Sequence, residues 1–340
     1  MSDKVLVTVT GASGFIAQHT IRQLLDAGYA VRGTVRNLAR TEDLTAAFSK
    51  YSDVADLSFA AVDLSSDDGW DAAMTGATYL LHMASPLPVK QPEDENELII
   101  PAREGALRAI KAATKAGVKR IVMTSSIAAV YGGNREHNPL NETYWSDVTK
   151  DIGAYPKSKT IAERAAWDYV TALPEEDKPE LAMINPGFVL GPLIAADASA
   201  SHEVVRRLLS REVPGIPNIG FNLVDVRDVA SAHVTALNSA AAPGNRYICV
   251  SQHLRFKDIA LQVRDHVAPR GYKIVTRSIP DWLVRLLAKF DPSLKIVVSR
   301  LGPNDSFDTS KIRADLDWTP MELNQSIRET VDSLIESKIV

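Results

Sequence analysis

Tyr155 and Lys159 are a pair whose types and spacing can move a proton. Four residues apart, they share one face of a helix. The segment should be helical: Pro156 suits a first turn, and Thr160-Ile-Ala-Glu-Arg-Ala-Ala-Trp167 is rich in helix formers. An ammonium beside a phenol favours the phenolate, so Lys159 is expected to lower the Tyr155 pKa from about 10. That is the equipment of a general acid/base centre.

The second stretch with chemistry in it lies at the N-terminus, Val5-Leu-Val-Thr-Val-Thr-Gly-Ala-Ser-Gly-Phe-Ile-Ala17. An apolar run breaks into a glycine turn and continues as an amphipathic segment, which reads as strand, phosphate-binding turn, helix. Gly11 allows the tight exit from the strand, and Gly14 keeps side chains away from the N–H groups that would meet a pyrophosphate. Ala17 stands where close helix-to-strand packing needs a small residue. Gly11, Ser13, Gly14, Phe15 and Ile16 are the candidates to hold the phosphates.

The elements that must position these groups alternate along the chain. Strand-like runs at 4–9, 30–35, 58–62, 78–82 and 119–125 are separated by helix-length segments, the pattern of a doubly wound parallel α/β sheet. Segment 86–97, rich in Pro and acid, reads as a surface loop before a helix at about 96–116. A strand at 181–185 is followed by a turn-forming break through Pro192. Beyond it, helix-like stretches at 202–210, 226–239, 256–268, 280–289 and 323–337 suggest a smaller mixed lobe. Residues 1–185 are expected to form the nucleotide-binding domain, with strands 221–225 and 246–250 returning to its sheet, and 186–340 the interleaved substrate lobe.

In a dinucleotide fold, an acid at the end of the second strand binds the NAD ribose, whereas an Arg there suits the 2′-phosphate of NADP. Here that strand ends at Arg36, with Arg40 following and no acid before Glu42. Arg36 and Arg40 can grip a phosphate, so NADP(H) is expected. Solvated charges at a helix start would explain them too. Ala84 and Ser85 follow the fourth strand on the edge where nucleotides bind and would line the cofactor, with Ser85 also facing the substrate. His82 reads as a core histidine.

Gly-x-x-Gly-x-x-Ala at the N-terminus, Ser125-Ser126 after a strand and Tyr-x-x-x-Lys further on together resemble an extended short-chain dehydrogenase/reductase. The catalytic-helix segment Ala154–Trp167, Asn141-Glu-Thr-Tyr-Trp-Ser-Asp147 and Val224-Asp-Val-Arg-Asp-Val-Ala-Ser-Ala-His233 are similar to dihydroflavonol 4-reductases and cinnamoyl-CoA reductases. Gly-Phe-Ile-Ala-Gln-His19 is nearer the methylglyoxal and aldehyde reductases of the same branch. The resemblance implies hydride transfer from NADPH to a carbonyl carbon, with Tyr155 as general acid. Lys159 would tune Tyr155 and hold the nicotinamide ribose, and Ser126 would hydrogen-bond the carbonyl oxygen. Ser126 is preferred because it precedes the short run Ile127-Ala-Ala-Val130; Thr124, also a cofactor contact, and Ser125 are the alternates. Asp63 and Leu64 resemble the family's adenine-contacting pair, although a helix N-cap would account for Asp63 as well. Pro186 and Val189 match the loop behind the nicotinamide ring. Tyr131 would border the substrate; flavonoid-reducing members usually carry Asn there, which favours a broad aldehyde/ketone reductase.

Composition excludes several other classes. A net charge of −4 leaves no basic footprint for nucleic acid or an anionic membrane. With one cysteine, Cys249, no internal disulfide forms, and seven histidines show no metal-ligand spacing. The first apolar run is too short for a signal peptide or span, so a cytoplasmic protein acting on a small carbonyl or alcohol is expected, as monomer or homodimer. Two alternatives share part of the pattern: an NAD-dependent nucleotide-sugar epimerase or dehydratase, and a non-catalytic NADP-sensing protein.

Overall fold

The computed structural model describes residues 4–86, 94–134, 137–195, 199–290, 294–302 and 305–340. Strands β1 (Leu6–Val9), β2 (Ala30–Val35), β3 (Leu57–Ala61), β4 (Tyr79–His82), β5 (Arg120–Thr124) and β6 (Glu180–Pro186) run parallel in one sheet. Between them come helices α1 (Phe15–Asp26), α2 (Thr41–Phe48), α3 (Trp70–Met74), α4 (Asn96–Lys115), α5 (Ala128–Tyr131) and α6 (Ala154–Ala172). The strands read as unbroken apolar runs because both faces are covered. Every residue of β5 is buried. Trp70 of α3, the alanine face of α4 and Ala162, Ala166 and Val170 of α6 share one cluster; α1 and α2 belong to the core on the other side. The fold is a three-layer, doubly wound α/β sheet.

After β6 come β7 (Phe188–Leu190), α7 (Ala200–Leu209), β8 (Gly220–Asp225), α8 (Val226–Asn238), β9 (Arg246–Cys249) and β10 (Gln252–Arg255). The strand order β3-β2-β1-β4-β5-β6-β9 completes the seven-stranded sheet, and β10-β8-β7 form a separate three-stranded one. Strand 246–250 therefore returns to the main sheet, but strand 221–225 does not. The edge beside β6 is taken by β9, and the chain turns off at Gly187 into β7, which the turn-forming reading of that stretch missed. Gly187 makes the new pairing possible: a Cβ there would lie 2.2 Å from the Asn222 carbonyl oxygen of β8. Helices α9 (Phe256–Val267), α10 (Asp281–Leu287), α11 (Leu294–Ser299), α12 (Ser310–Leu316) and α13 (Leu323–Glu336) finish the lobe. One apolar core runs from Val7 through Leu334 and joins lobe to sheet.

Strand order reverses at β1, with β2 on one side of it and β4 on the other. Carboxyl ends at such a switch point form a crevice where ligands bind. Both stretches with chemistry in them lead there. The acid-rich loop expected over 86–97 lies, for 87–93, outside the described residues; α4 begins at Asn96.

Candidate active site

The glycine turn is held open from below. Gly11 has φ +72°, and a Cβ on it would come within 3.1 Å of the Ala84 Cβ. Turn and post-β4 loop thus approach at van der Waals distance. Thr10 fixes that loop, its hydroxyl accepting the N–H groups of Met83 (2.9 Å) and Ala84 (3.0 Å) while bonding His82 Nδ1 at 2.9 Å. Gln18 closes the other side, donating to the Ser13 carbonyl (2.7 Å) and accepting from Ala195 N–H (2.9 Å). Gly14, exposed at the N-cap of α1, supplies no capping side chain. The first-turn N–H groups are orphans of the helix itself and attract an anion. Ser13 and Ile16 are half-buried, whereas Phe15 points inward, edge-on to His202 at 4.3 Å.

Arg36 emerges, exposed, one residue after β2, and Arg40 is exposed at the start of α2. Asp63 accepts from the N–H and hydroxyl of Ser65, bonds that hold its carboxyl below the usual range, with the Arg36 charge adding to them. Arg36 and Asp63 therefore share one end of the crevice. Leu64 packs toward α4, where a Cβ on Gly105 would lie 2.8 Å from its own. These residues fit the adenosine half of a dinucleotide: a cradle without side chains for phosphate and a cation at the end of β2.

At the other end, Gly153 caps α6, placing Tyr155 in its first turn and Lys159 one turn on. The side chains Thr124, Ser125 and Ser126, at the carboxyl end of β5, diverge. Thr124 Oγ1 bonds His233 Nε2 at 2.8 Å. Ser125 donates to the buried carboxylate of Glu163. Ser126 accepts the Ala128 N–H at 3.1 Å and donates to the Pro186 carbonyl at 3.5 Å, and its hydroxyl acts to lower the Tyr155 pKa. Of the three hydroxyls it is Ser126 that stands with the phenol. Pro186 accepts the Ile127 N–H at 3.0 Å, which draws the post-β6 turn against the serines. Val189, on β7, is buried, its carbonyl accepting from Ser201.

The electrostatics depart from the expectation drawn from spacing. Burial raises the Tyr155 pKa above its ordinary value; the Ser126 hydrogen bond and then the charge of Arg300 act against it. Lys159 does not set the direction. Its own pKa is lowered to about 8 by burial, opposed by the Glu163 carboxylate. A neighbouring charge in sequence is visible; the desolvation of a phenol in a folded crevice is not, and here desolvation wins.

Several residues of the site carry no local sequence signal. Glu163, four residues beyond Lys159, is fully buried; it pairs with Arg246 (2.5 Å) and accepts from Asn185 (2.9 Å). Its spacing from Lys159 on α6 is the one clue that could have found it. Arg246 also donates to the Glu142 and Tyr144 carbonyls, each at 2.8 Å, and stacks on Trp145 at 3.7 Å. Trp145 is thereby a packing anchor. Arg300, from the far lobe, reaches the Tyr131 hydroxyl at 3.4 Å. Among the described residues no group of His, Cys, Asp and Glu could hold a metal, and no helix is long and apolar enough to cross a membrane.

A parallel sheet with a glycine turn at its switch point, and a Tyr-x-x-x-Lys helix beside it, defines the extended short-chain dehydrogenase/reductase class. Residues 7–249 match the NAD dependent epimerase/dehydratase family, and the chain belongs to that family. It is 36% identical to cinnamoyl-CoA reductase 2 of Medicago truncatula, covering 97% of this chain and 91% of that one. It is 31% identical to ketoreductase azaE of Aspergillus niger over 97% of each. Among solved structures, yeast methylglyoxal/isovaleraldehyde reductase Gre2 complexed with NADPH superposes with a TM-score of 0.79 at 27% identity, covering 98% of this chain and 99% of that one.

Proposed function

We propose that the protein is an NADPH-dependent carbonyl reductase that converts an aldehyde or ketone to the alcohol, reversibly. The observation that carries the reading is the meeting of Ser126 with the half-buried Tyr155, one helical turn from Lys159, beside an open glycine cradle. When bound, the nicotinamide supplies a hydride to the carbonyl carbon. Tyr155 gives its proton to the carbonyl oxygen, a proton that a phenol holds at neutral pH, while the Ser126 hydroxyl acts against the burial that raises its pKa. Ser126 donates to the same oxygen as charge develops on it. Lys159, whose pKa of about 8 leaves it mostly charged at neutral pH, holds ribose hydroxyls and stabilises the phenolate left behind. Arg36 takes the 2′-phosphate.

The test is NADPH and NADH oxidation with methylglyoxal, an aliphatic aldehyde, an aryl ketone, a diketone and a dihydroflavonol, run beside Tyr155→Phe. Consumption of NADPH that the variant loses by about 10²–10⁴-fold while still binding NADPH supports the reading. Wild type idle on every carbonyl, or a variant as fast as wild type, overturns it.

A further inference from the structure

A cation whose charge acts on Tyr155 comes from the lobe. Arg300 directly follows α11, and its backbone is pinned on both sides. Its own N–H bonds the Val297 carbonyl, Leu301 is buried in the main core, and Gly302 N–H bonds the Asn218 carbonyl at 3.1 Å. From that fixed point the exposed guanidinium reaches the Tyr131 hydroxyl, on the short helix that starts two residues beyond Ser126. Further along, Phe307 bridges to Leu140 and packs with Ile127, Val130 and Tyr131, so the lobe is docked against the Ser126 side of the crevice. The charge of Arg300 acts on both the Tyr131 and Tyr155 phenols. Asp305 faces Tyr131 with the opposite sign, and there Arg300 outweighs it.

An exposed guanidinium that reaches Tyr131 from a pinned backbone, its charge felt at the proton donor, matches a carboxylate in shape and charge. We infer that the substrate is an oxo acid, a carbonyl compound whose carboxylate is held by Arg300 and the Tyr131 hydroxyl while its carbonyl oxygen faces Ser126 and Tyr155. The inference rests on the reductase reading and adds the class of substrate to it. Tyr131 contributes as a neutral donor, its phenol raised by burial. The carboxylate takes no part in the bond changes.

The experiment compares kcat/KM with NADPH for acetoacetate and methyl acetoacetate, and for levulinate and methyl levulinate, in wild type, Arg300→Leu and Arg300→Lys. Wild type should favour the acid of at least one pair. The acid-to-ester ratio should fall about 10- to 100-fold in Arg300→Leu, mainly through KM, and recover in part in Arg300→Lys. Equal losses on acid and ester, with the ratio unmoved, would overturn the inference and make Arg300 a partner of Tyr155 or of the fold. So would a wild type that reduces the esters or methylglyoxal faster than either acid, which leaves the reductase reading standing. Idleness on every carbonyl removes both.

Discussion

His19, His82, His202 and His233 are buried, and burial lowers their pKa values from 6.5 to about 4, about 3, about 4 and about 4. Each is fixed as a neutral ring. His19 bonds the Pro192 carbonyl, His82 the Thr10 hydroxyl, His202 the Ser199 hydroxyl and Gly191 carbonyl, and His233 the Val229 carbonyl and Thr124 hydroxyl. The unfolded chain titrates these groups near 6.5, so between pH 6.5 and 4 it binds protons that the folded chain refuses. Stability is therefore fully present above pH 6.5 and lost as pH falls through that window. At about 1.4 kcal/mol per displaced unit, each histidine withdraws about 3 kcal/mol by pH 4. Asp228 opposes this: burial raises its pKa from 3.8 to about 6, so the folded chain takes up a proton there. Glu142, also raised by burial, adds to the offset. A net two to three protons remain, a slope of roughly 3–4 kcal/mol per pH unit near pH 5. Against a stability of about 5–15 kcal/mol, that unfolds the chain before pH 4. Urea denaturation at pH 7.5, 6.5, 5.5 and 5.0, followed by circular dichroism, measures the slope. His233→Gln should flatten it by about 1.4 kcal/mol per unit whatever its own stability. Stability at pH 5.0 within about 1 kcal/mol of that at pH 7.5 would refute the argument.

Three further outcomes can be checked. Arg36→Leu should weaken NADPH about 10- to 100-fold and NADH little, by fluorescence titration; equal losses would mean that Arg36 does not meet the 2′-phosphate. Arg246→Met leaves the buried Glu163 carboxylate without its ion pair and should cost about 3–5 kcal/mol in urea, much of it restored by adding Glu163→Leu. A single-variant loss below about 1 kcal/mol would show the pair to be dispensable. Gly187→Ala should destabilise by at least about 1–3 kcal/mol, since its methyl has no room beside the Asn222 carbonyl; a neutral result would mean that β7 and β8 separate easily.

The main sheet is legible in the sequence because its strands are short apolar runs spaced by helix-length segments, a pattern that burial on both faces imposes. The same pattern misplaces 221–225. Strand β8 has a buried face like that of β9, and burial says that a strand is covered, not which strand lies beside it. That choice is made at Gly187, whose missing side chain admits a neighbouring backbone. Sequence shows the glycine and not what it admits.

The candidate site divides along the same line. Tyr155 and Lys159 can be paired on paper because one helix carries both, and Glu163 continues the same face. Ser126 can be singled out only with the help of a resemblance, since Thr124 and Ser125 carry similar hydroxyls; in the fold His233 and Glu163 engage those two, while Ser126 meets the phenol. The Arg300 guanidinium gains its place at Tyr131 only when the lobe docks through Phe307 and Leu301. The charge on Tyr155 follows from these distant parts. Spacing alone makes Lys159 its governor, whereas in the fold burial raises the phenol's pKa and the opposing cation is Arg300. A phenol is already protonated at neutral pH, and desolvation makes it a weaker acid, so the proposed reaction depends on what acts against burial at Tyr155, the Ser126 hydroxyl and the Arg300 charge, both set beside it only by the fold.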